Sequence, residues 1–213
     1  MLPILMRDDR YVILDKPAGL PVHSGRDGGP SVEDWFPLLS RRRTGPWLAH
    51  RLDRDTSGCL LIALRRPALV AAQACFATGQ ASKVYWAIVR GCPGGSAGEI
   101  EAPLRKWSGT GGWRMEVHPD GQRASSAWRV LGRADGLAWL EIRPRTGRTH
   151  QVRAHCAYLG CPVLGDSIYG GGHGKLQLLA RHLAMPVDPP VSATAPPPTH
   201  MLPALARCGF TPA

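Results

Sequence analysis

The chain has 213 residues, 44% of them hydrophobic and 20% charged, which suits one well-cored domain or at most two small ones. No run approaches the roughly 20 apolar residues of a membrane span, no basic-then-apolar leader opens the chain, and the six cysteines show no zinc spacing, even where His155, Cys156 and Cys161 lie close in sequence. A formal net charge of +10, with only four lysines (Lys16, Lys83, Lys106 and Lys175) among 26 basic residues, points to a polyanionic partner, because guanidinium forks match phosphates and base edges.

In chain order, residues 11–15 (YVILD) read as a strand, stopped by Lys16-Pro17-Ala18-Gly19 and followed by a Gly- and Pro-rich loop to Pro30. Residues 31–40 read as a short helix, with Ser31 and Asp34 set as a capping box and Pro37 limiting its length. The basic triplet Arg41-Arg42-Arg43 follows, as either a solvated surface or a phosphate contact. Residues 47–49 and 59–64 are two strands, the second almost wholly apolar and therefore buried. The polar connection between them holds Arg51, Asp53, Arg54 and Asp55. It closes on Thr56-Ser57-Gly58, two hydroxyls and a residue free to take positive φ. A carboxylate on such a loop is either a charged surface turn or a rigidly mounted catalytic group.

Residues 67–78 form a helix opened by Pro67 and stopped by Gly79, and residues 84–89 a strand carrying Tyr85. From 92 to 121 glycine is frequent, and Trp107 and Trp113 sit among Arg105, Lys106 and Arg114. Such a mixture either stacks on unpaired bases or forms a hairpin whose tryptophans pack on the sheet; the second reading is preferred. Residues 125–131 and 137–142 alternate as paired strands across a turn at 132–136. Thr149 is placed to cap a helix that stops at Gly160. Val152, Cys156 and Leu159 form its core stripe, and His150 and Arg153 share another face.

Three of these segments carry a resemblance. His50-Arg51-Leu52-Asp53, then Thr56-Ser57-Gly58 and the apolar run, resemble the catalytic signature of the RluA-type pseudouridine synthases, which isomerise uridine within structured RNA. Lys83-x-Tyr85-x-Ala87 resembles that family's second motif, and the stretch from Arg145 through Arg148, His150 and Arg153 to His155 its third. With the opening segment, Gly160 to Gly170 and Leu176-Gln177-Leu178, the likeness covers about residues 7–203. It implies an α+β fold: a curved, mainly antiparallel, mixed sheet with flanking helices and a central cleft. A single catalytic domain over residues 1–213 is expected, with no RNA-binding S4 domain ahead of it. The resemblance makes Asp53 the essential aspartate, Tyr85 the contact to the flipped base, and Arg153 the cation paired with the aspartate. Arg51 fills the space the base leaves, Leu178 packs against the base, and His50, Lys83, Arg148 and His150 serve RNA or substrate binding. Leu179 stands where the family customarily has histidine.

Isomerising uridine cuts the C1′–N1 bond, turns the uracil and joins C5 to C1′, with no redox change and no net water. Neither cofactor nor metal is therefore expected. A lone carboxylate also differs from the two that an ordinary glycosidase uses. The expected partner is a stem-loop of tRNA or rRNA, with no membrane, and the protein is expected to be a cytoplasmic monomer with free thiols. Two other readings compete. One is an RNA-binding or ribosome-assembly module without catalysis; the other is a hydrolase with Asp53 as nucleophile, or with His50 and Asp53 holding a metal.

Overall fold

The computed structural model describes residues 2–25, 28–41, 44–110 and 112–212; of the basic triplet, Arg42 and Arg43 lie outside the described residues. Two compact units divide the chain, Met1–Lys83 with Leu179–Pro197 and Val84–Leu178 with Pro198–Ala213. The first begins with strands β1 (Ile4–Arg7) and β2 (Tyr11–Lys16), a 3-10 turn (Val32–Trp35) and helix α1 (Phe36–Leu39). Strands β3 (Trp47–Leu48) and β4 (Ser57–Ala63) and helix α2 (Arg66–Ala77) follow. Strand β5 (Ser82–Arg90) enters the second unit at Val84, and the chain continues there through β6 (Ala97–Glu101), β7 (Leu104–Gly109), β8 (Gly112–Val117), β9 (Ser125–Ala134), β10 (Leu137–Pro144) and α3 (Gln151–Tyr158). All but the first residue of β11 (Leu178–Met185) belong to the first unit, as does β12 (Val191–Thr194), whereas α4 (Leu202–Arg207) belongs to the second.

In the first unit β4 is the centre, and all seven of its residues are buried. Along one edge β2 pairs with it antiparallel, from Tyr11↔Ala63 to Lys16↔Gly58. The other edge is shared: β3 pairs antiparallel at Ala63 and Ile62, and β11 pairs parallel at Ser57 and Gly58. A strand with neighbours on both edges and no solvated face needs apolar residues throughout, and Cys59 to Ala63 supply them. Gly58 has no substitute, because its φ is +103° and a Cβ there would stand 2.3 Å from the Ala180 carbonyl oxygen. The expected capping box is present: the Ser31 N–H donates to the Asp34 carboxylate at 2.8 Å. Helix α2 matches its expected bounds within a residue, and the Tyr11 hydroxyl ties β2 to it through the Ala68 carbonyl at 2.8 Å.

The second unit is an antiparallel sheet in the order β5-β10-β9-β6, with β7 and β8 as a separate hairpin. Its core gathers Ala87, Val89, Leu140, Ile142, Val152 and Cys156, so the predicted stripe of α3 does face inward. Three local expectations are corrected. The β9–β10 turn is tighter than residues 132–136: Asp135 (φ 50°) and Gly136 (φ 72°) suffice, both at positive φ as a two-residue hairpin turn requires. Gly132 lies within β9, where a Cβ would stand 1.7 Å from the Cys208 carbonyl oxygen. Helix α3 begins at Gln151 and not after a Thr149 cap, with His150 preceding it at a left-handed φ of 52°. The hairpin forms, but its tryptophans do not pack on the sheet. Trp107 stays 38% and Trp113 45% exposed, while Leu104, Met115 and Val117 make the apolar contacts.

Candidate active site

The turn carrying Asp53 is held from beneath. Leu52 and Thr56 are buried, Asp53 is half-buried and Arg51 is exposed. The Thr56 N–H donates to the Asp53 carbonyl at 3.2 Å, closing the turn. Lys16, wholly buried, donates its ammonium to the carbonyls of Pro17 (2.9 Å), Leu20 (2.8 Å) and Arg54 (2.8 Å). The Gly19 N–H also donates to the Arg54 carbonyl, and the Arg54 Nε–H donates back to the Gly19 carbonyl. The loop after β2 and the Asp53 turn are thus one laced unit. Burial lowers the Lys16 pKa to about 8, against the upward pull of Asp55 and Asp53.

His50 is half-buried, and one of its ring nitrogens is committed to the backbone. The Leu61 N–H donates to its Nε2 at 3.0 Å, and its ring packs on Phe76 at 4.9 Å. Burial, helped by the Lys83 charge, lowers its pKa to about 4, so the ring is neutral near pH 7. A neutral imidazole committed to the backbone straps the turn to β4, and that nitrogen is not open to a metal. Lys83, half-buried at the start of β5, is lowered by burial to about 8.

In the second unit, Tyr85 lies on β5 opposite Ile142 of β10 and packs against the apolar cluster that contains Leu178. Leu178 itself is only 2% exposed. Arg153 is buried, contrary to the expectation that it points out of the core beside His150. Its Nε–H and Nη2–H donate to Asp166 at 2.7 and 2.9 Å, a bidentate pair. Burial alone would raise the Asp166 carboxyl, but Arg153 and the N–H groups of Tyr169 and Ile168 outweigh it and hold the group below the usual carboxylate range. The Arg153 guanidinium lies 5.3 Å from the centre of the Tyr169 ring. His150 stacks on Trp113 at 4.8 Å, and its Nδ1 is bonded to the Tyr169 hydroxyl at 3.1 Å. Arg148 is exposed, its Nε–H donating to the Arg123 carbonyl at 3.0 Å.

Gln151 and His155, for which the sequence suggested no site role, organise the segment around the start of α3. The Gln151 side-chain oxygen accepts from the Thr146 hydroxyl (2.7 Å) and the Arg148 N–H (3.0 Å), and its amide donates to the Ser125 carbonyl and the Ser126 hydroxyl. These bonds hold the turn ahead of α3, whose N-cap position is His150 with no side-chain cap. His155 is fully buried between the Ser126 hydroxyl and the Ala102 carbonyl. Asp166 could have been suspected from Gly165-Asp166, a turn signal inside an apolar stretch. Trp113 on His150 had no sequence signal. Among the described residues no three His, Cys, Asp or Glu side chains group as metal ligands, and no helix is long and apolar enough to cross a membrane.

A model of the RNA pseudouridylate synthase family matches residues 10–158. The chain is 44% identical over 170 residues to an uncharacterized RNA pseudouridine synthase of Zymomonas mobilis, covering 78% of each. It is 36% identical over 167 residues to the ribosomal large subunit pseudouridine synthase C of Vibrio parahaemolyticus, covering 78% of this chain but only 52% of that one. Its fold is similar to that of human RNA pseudouridylate synthase domain containing 4, with a TM-score of 0.83 at 28% identity over 99% of this chain and 94% of the other. Motifs, sheet and family match agree: the chain belongs to the RNA pseudouridylate synthase family.

Proposed function

We propose that the chain isomerises a specific uridine of tRNA or rRNA to pseudouridine, with Asp53 as the essential carboxylate. The observation that carries this reading is the turn itself: a half-buried aspartate on a connection that Lys16, Gly19 and Arg54 lace together. That is far more construction than a surface turn needs. A carboxylate so placed is suited to stabilise a cationic sugar, attack it, or remove a proton. Tyr85 would stack on the uracil and assist at the C5 proton, and Leu178, in the apolar cluster against which Tyr85 packs, would pack on the base. Arg153 would offset the cost of a carboxylate in a pocket that excludes water. The base must leave its stack to be reached, and exposed Arg51 is the residue to fill the gap. Lys83, Arg148 and the net charge of +10 would hold the phosphates.

The size of the described domain supports a small RNA element as substrate. A chain of this kind contacts on the order of 1,000 Å² of RNA, which is a stem-loop, and flipping is cheapest where a base is already poorly stacked. We propose a monomer acting in the cytoplasm on such a loop. Pseudouridine mapping of total RNA from a deletion strain and its parent tests the function. Loss of modification at a discrete position, restored by the wild-type gene and reproduced on a short hairpin, is expected. An unchanged map would overturn the reading.

A further inference from the structure

We propose that Trp113, His150 and Tyr169 are positioning residues that couple the seating of the β7–β8 hairpin to the orientation of Arg153. The inference rests on the reading of Arg153 as part of the active site, but its physical content is a chain of contacts within the second unit. Cross-strand pairing sets Trp107 opposite Arg114 on one face of the hairpin and Trp113 opposite Ser108 on the other. Trp113 lies between the Lys106 ammonium, 5.2 Å from its ring centre, and the His150 imidazole, stacked at 4.8 Å and 23°. His150 is one of two described non-glycine residues at positive φ, in a backbone conformation that persists only where its surroundings over-determine it. Those surroundings include the Trp113 stack and the Tyr169 hydroxyl.

Tyr169 is the hub. Its hydroxyl oxygen accepts the Met115 N–H of β8 at 2.9 Å and is bonded to His150 Nδ1 at 3.1 Å. Its ring lies beneath Arg153, and its own N–H donates to the same Asp166 carboxylate that Arg153 grips. The hairpin backbone, the residue before α3 and the guanidinium plane therefore share one aromatic side chain. A displacement of the hairpin by bound RNA reaches Arg153 through two short paths, Met115 to Tyr169 and Trp113 to His150 to Tyr169. A chain of packed side chains and hydrogen bonds is one way in which such coupling is carried, and the variants below measure whether it is carried here.

The test reads Arg153 directly. Its Nε–H resonance, assigned by its disappearance in Arg153→Lys, is followed in the full chain for Trp113→Ala, Trp113→Phe, Tyr169→Phe and Trp107→Ala. In parallel, single-turnover pseudouridine formation is measured at saturating RNA hairpin. Trp113→Ala and Tyr169→Phe should shift or broaden the Arg153 signal and slow the turnover roughly tenfold. Trp113→Phe keeps the stack and should restore both. Trp107→Ala, on the opposite face, should leave the Arg153 signal in place. An Arg153 signal that stays put in Trp113→Ala, or moves as far in Trp107→Ala, overturns the proposal. If Trp113→Ala does not fold, Tyr169→Phe, which keeps the ring and removes only the hydroxyl, decides. Absence of pseudouridine with the wild-type protein would count against the functional reading, and the resonance would still decide the coupling.

Discussion

Lys16 in the first unit and Arg153 in the second are both buried cations, and they are satisfied differently. In the first, Lys16 spends its three ammonium protons on the carbonyls of Pro17, Leu20 and Arg54. In the second, Arg153 spends its Nε and Nη2 protons on one carboxylate, Asp166. A cage of carbonyls joins chain segments without neutralising the charge, so the Lys16 field still reaches Asp53 and Asp55. A bidentate carboxylate fixes the plane of the guanidinium and leaves its remaining N–H groups pointing away from Asp166. Lys16 therefore holds a loop in place, whereas Asp166 holds an orientation. The contrast matches the two tasks proposed: a carboxylate on a turn, and a cation whose direction matters.

The contrast is broken most severely at Asp166. Asp166→Ala leaves Arg153 buried beside an empty position and should cost about 3–5 kcal/mol in urea unfolding. Arg153→Met with Asp166→Asn removes the buried charge, keeps an acceptor for the Ile168 and Tyr169 N–H groups, and should recover most of that loss while remaining inactive. A double variant as unstable as Asp166→Ala would show that the pair is not the source of the cost. Lys16→Met should cost less, about 2–3 kcal/mol, because three carbonyls lose a charged donor but burying an ammonium is no longer required. Its activity should fall more than its melting point suggests, since the Asp53 turn loses its lacing; full activity would separate Lys16 from the site.

A further expected effect is pH-dependent and appears only in acid. The His50 pKa falls from 6.5 to about 4 in the folded protein, so between those values the unfolded chain binds more protons. Stability is fully present above about pH 6.5 and declines as pH drops toward 4, by at most about 3 kcal/mol. His50→Gln offers an acceptor near Nε2 without titrating there, and its stability should change less over the same window. Parallel curves for the two proteins would mean that His50 is not held neutral by the fold.

Strand β4 and helix α2 could be read from sequence because local and global demands coincide in them. A strand enclosed on both edges needs an apolar run, and Pro67 and Gly79 punctuate a helix wherever it packs. The Asp53 turn was readable for a different reason, as a long motif in one contiguous stretch. What escaped lies in contacts between distant residues. Arg153 finds Asp166 thirteen residues on, a separation with no periodic signature. His50 sits three residues from Asp53 and invites a binding role, yet its nitrogen meets the Leu61 backbone across two strands. Trp107 and Trp113 were expected to pack on the sheet; the cross-strand register instead sets Trp107 beside Arg114, and Trp113 stacks on His150.

Pseudouridine formation by purified wild-type and Asp53→Asn protein on the RNA identified by mapping is the most direct measurement. The substitution keeps the shape of the side chain and removes its charge. Asp53→Asn should bind the RNA and melt nearly as the wild type does, yet form no pseudouridine over many wild-type turnover times. Pseudouridine formed by Asp53→Asn at a rate near that of the wild type would contradict the assignment of Asp53, and with it the reading of the laced turn as the centre of the chemistry.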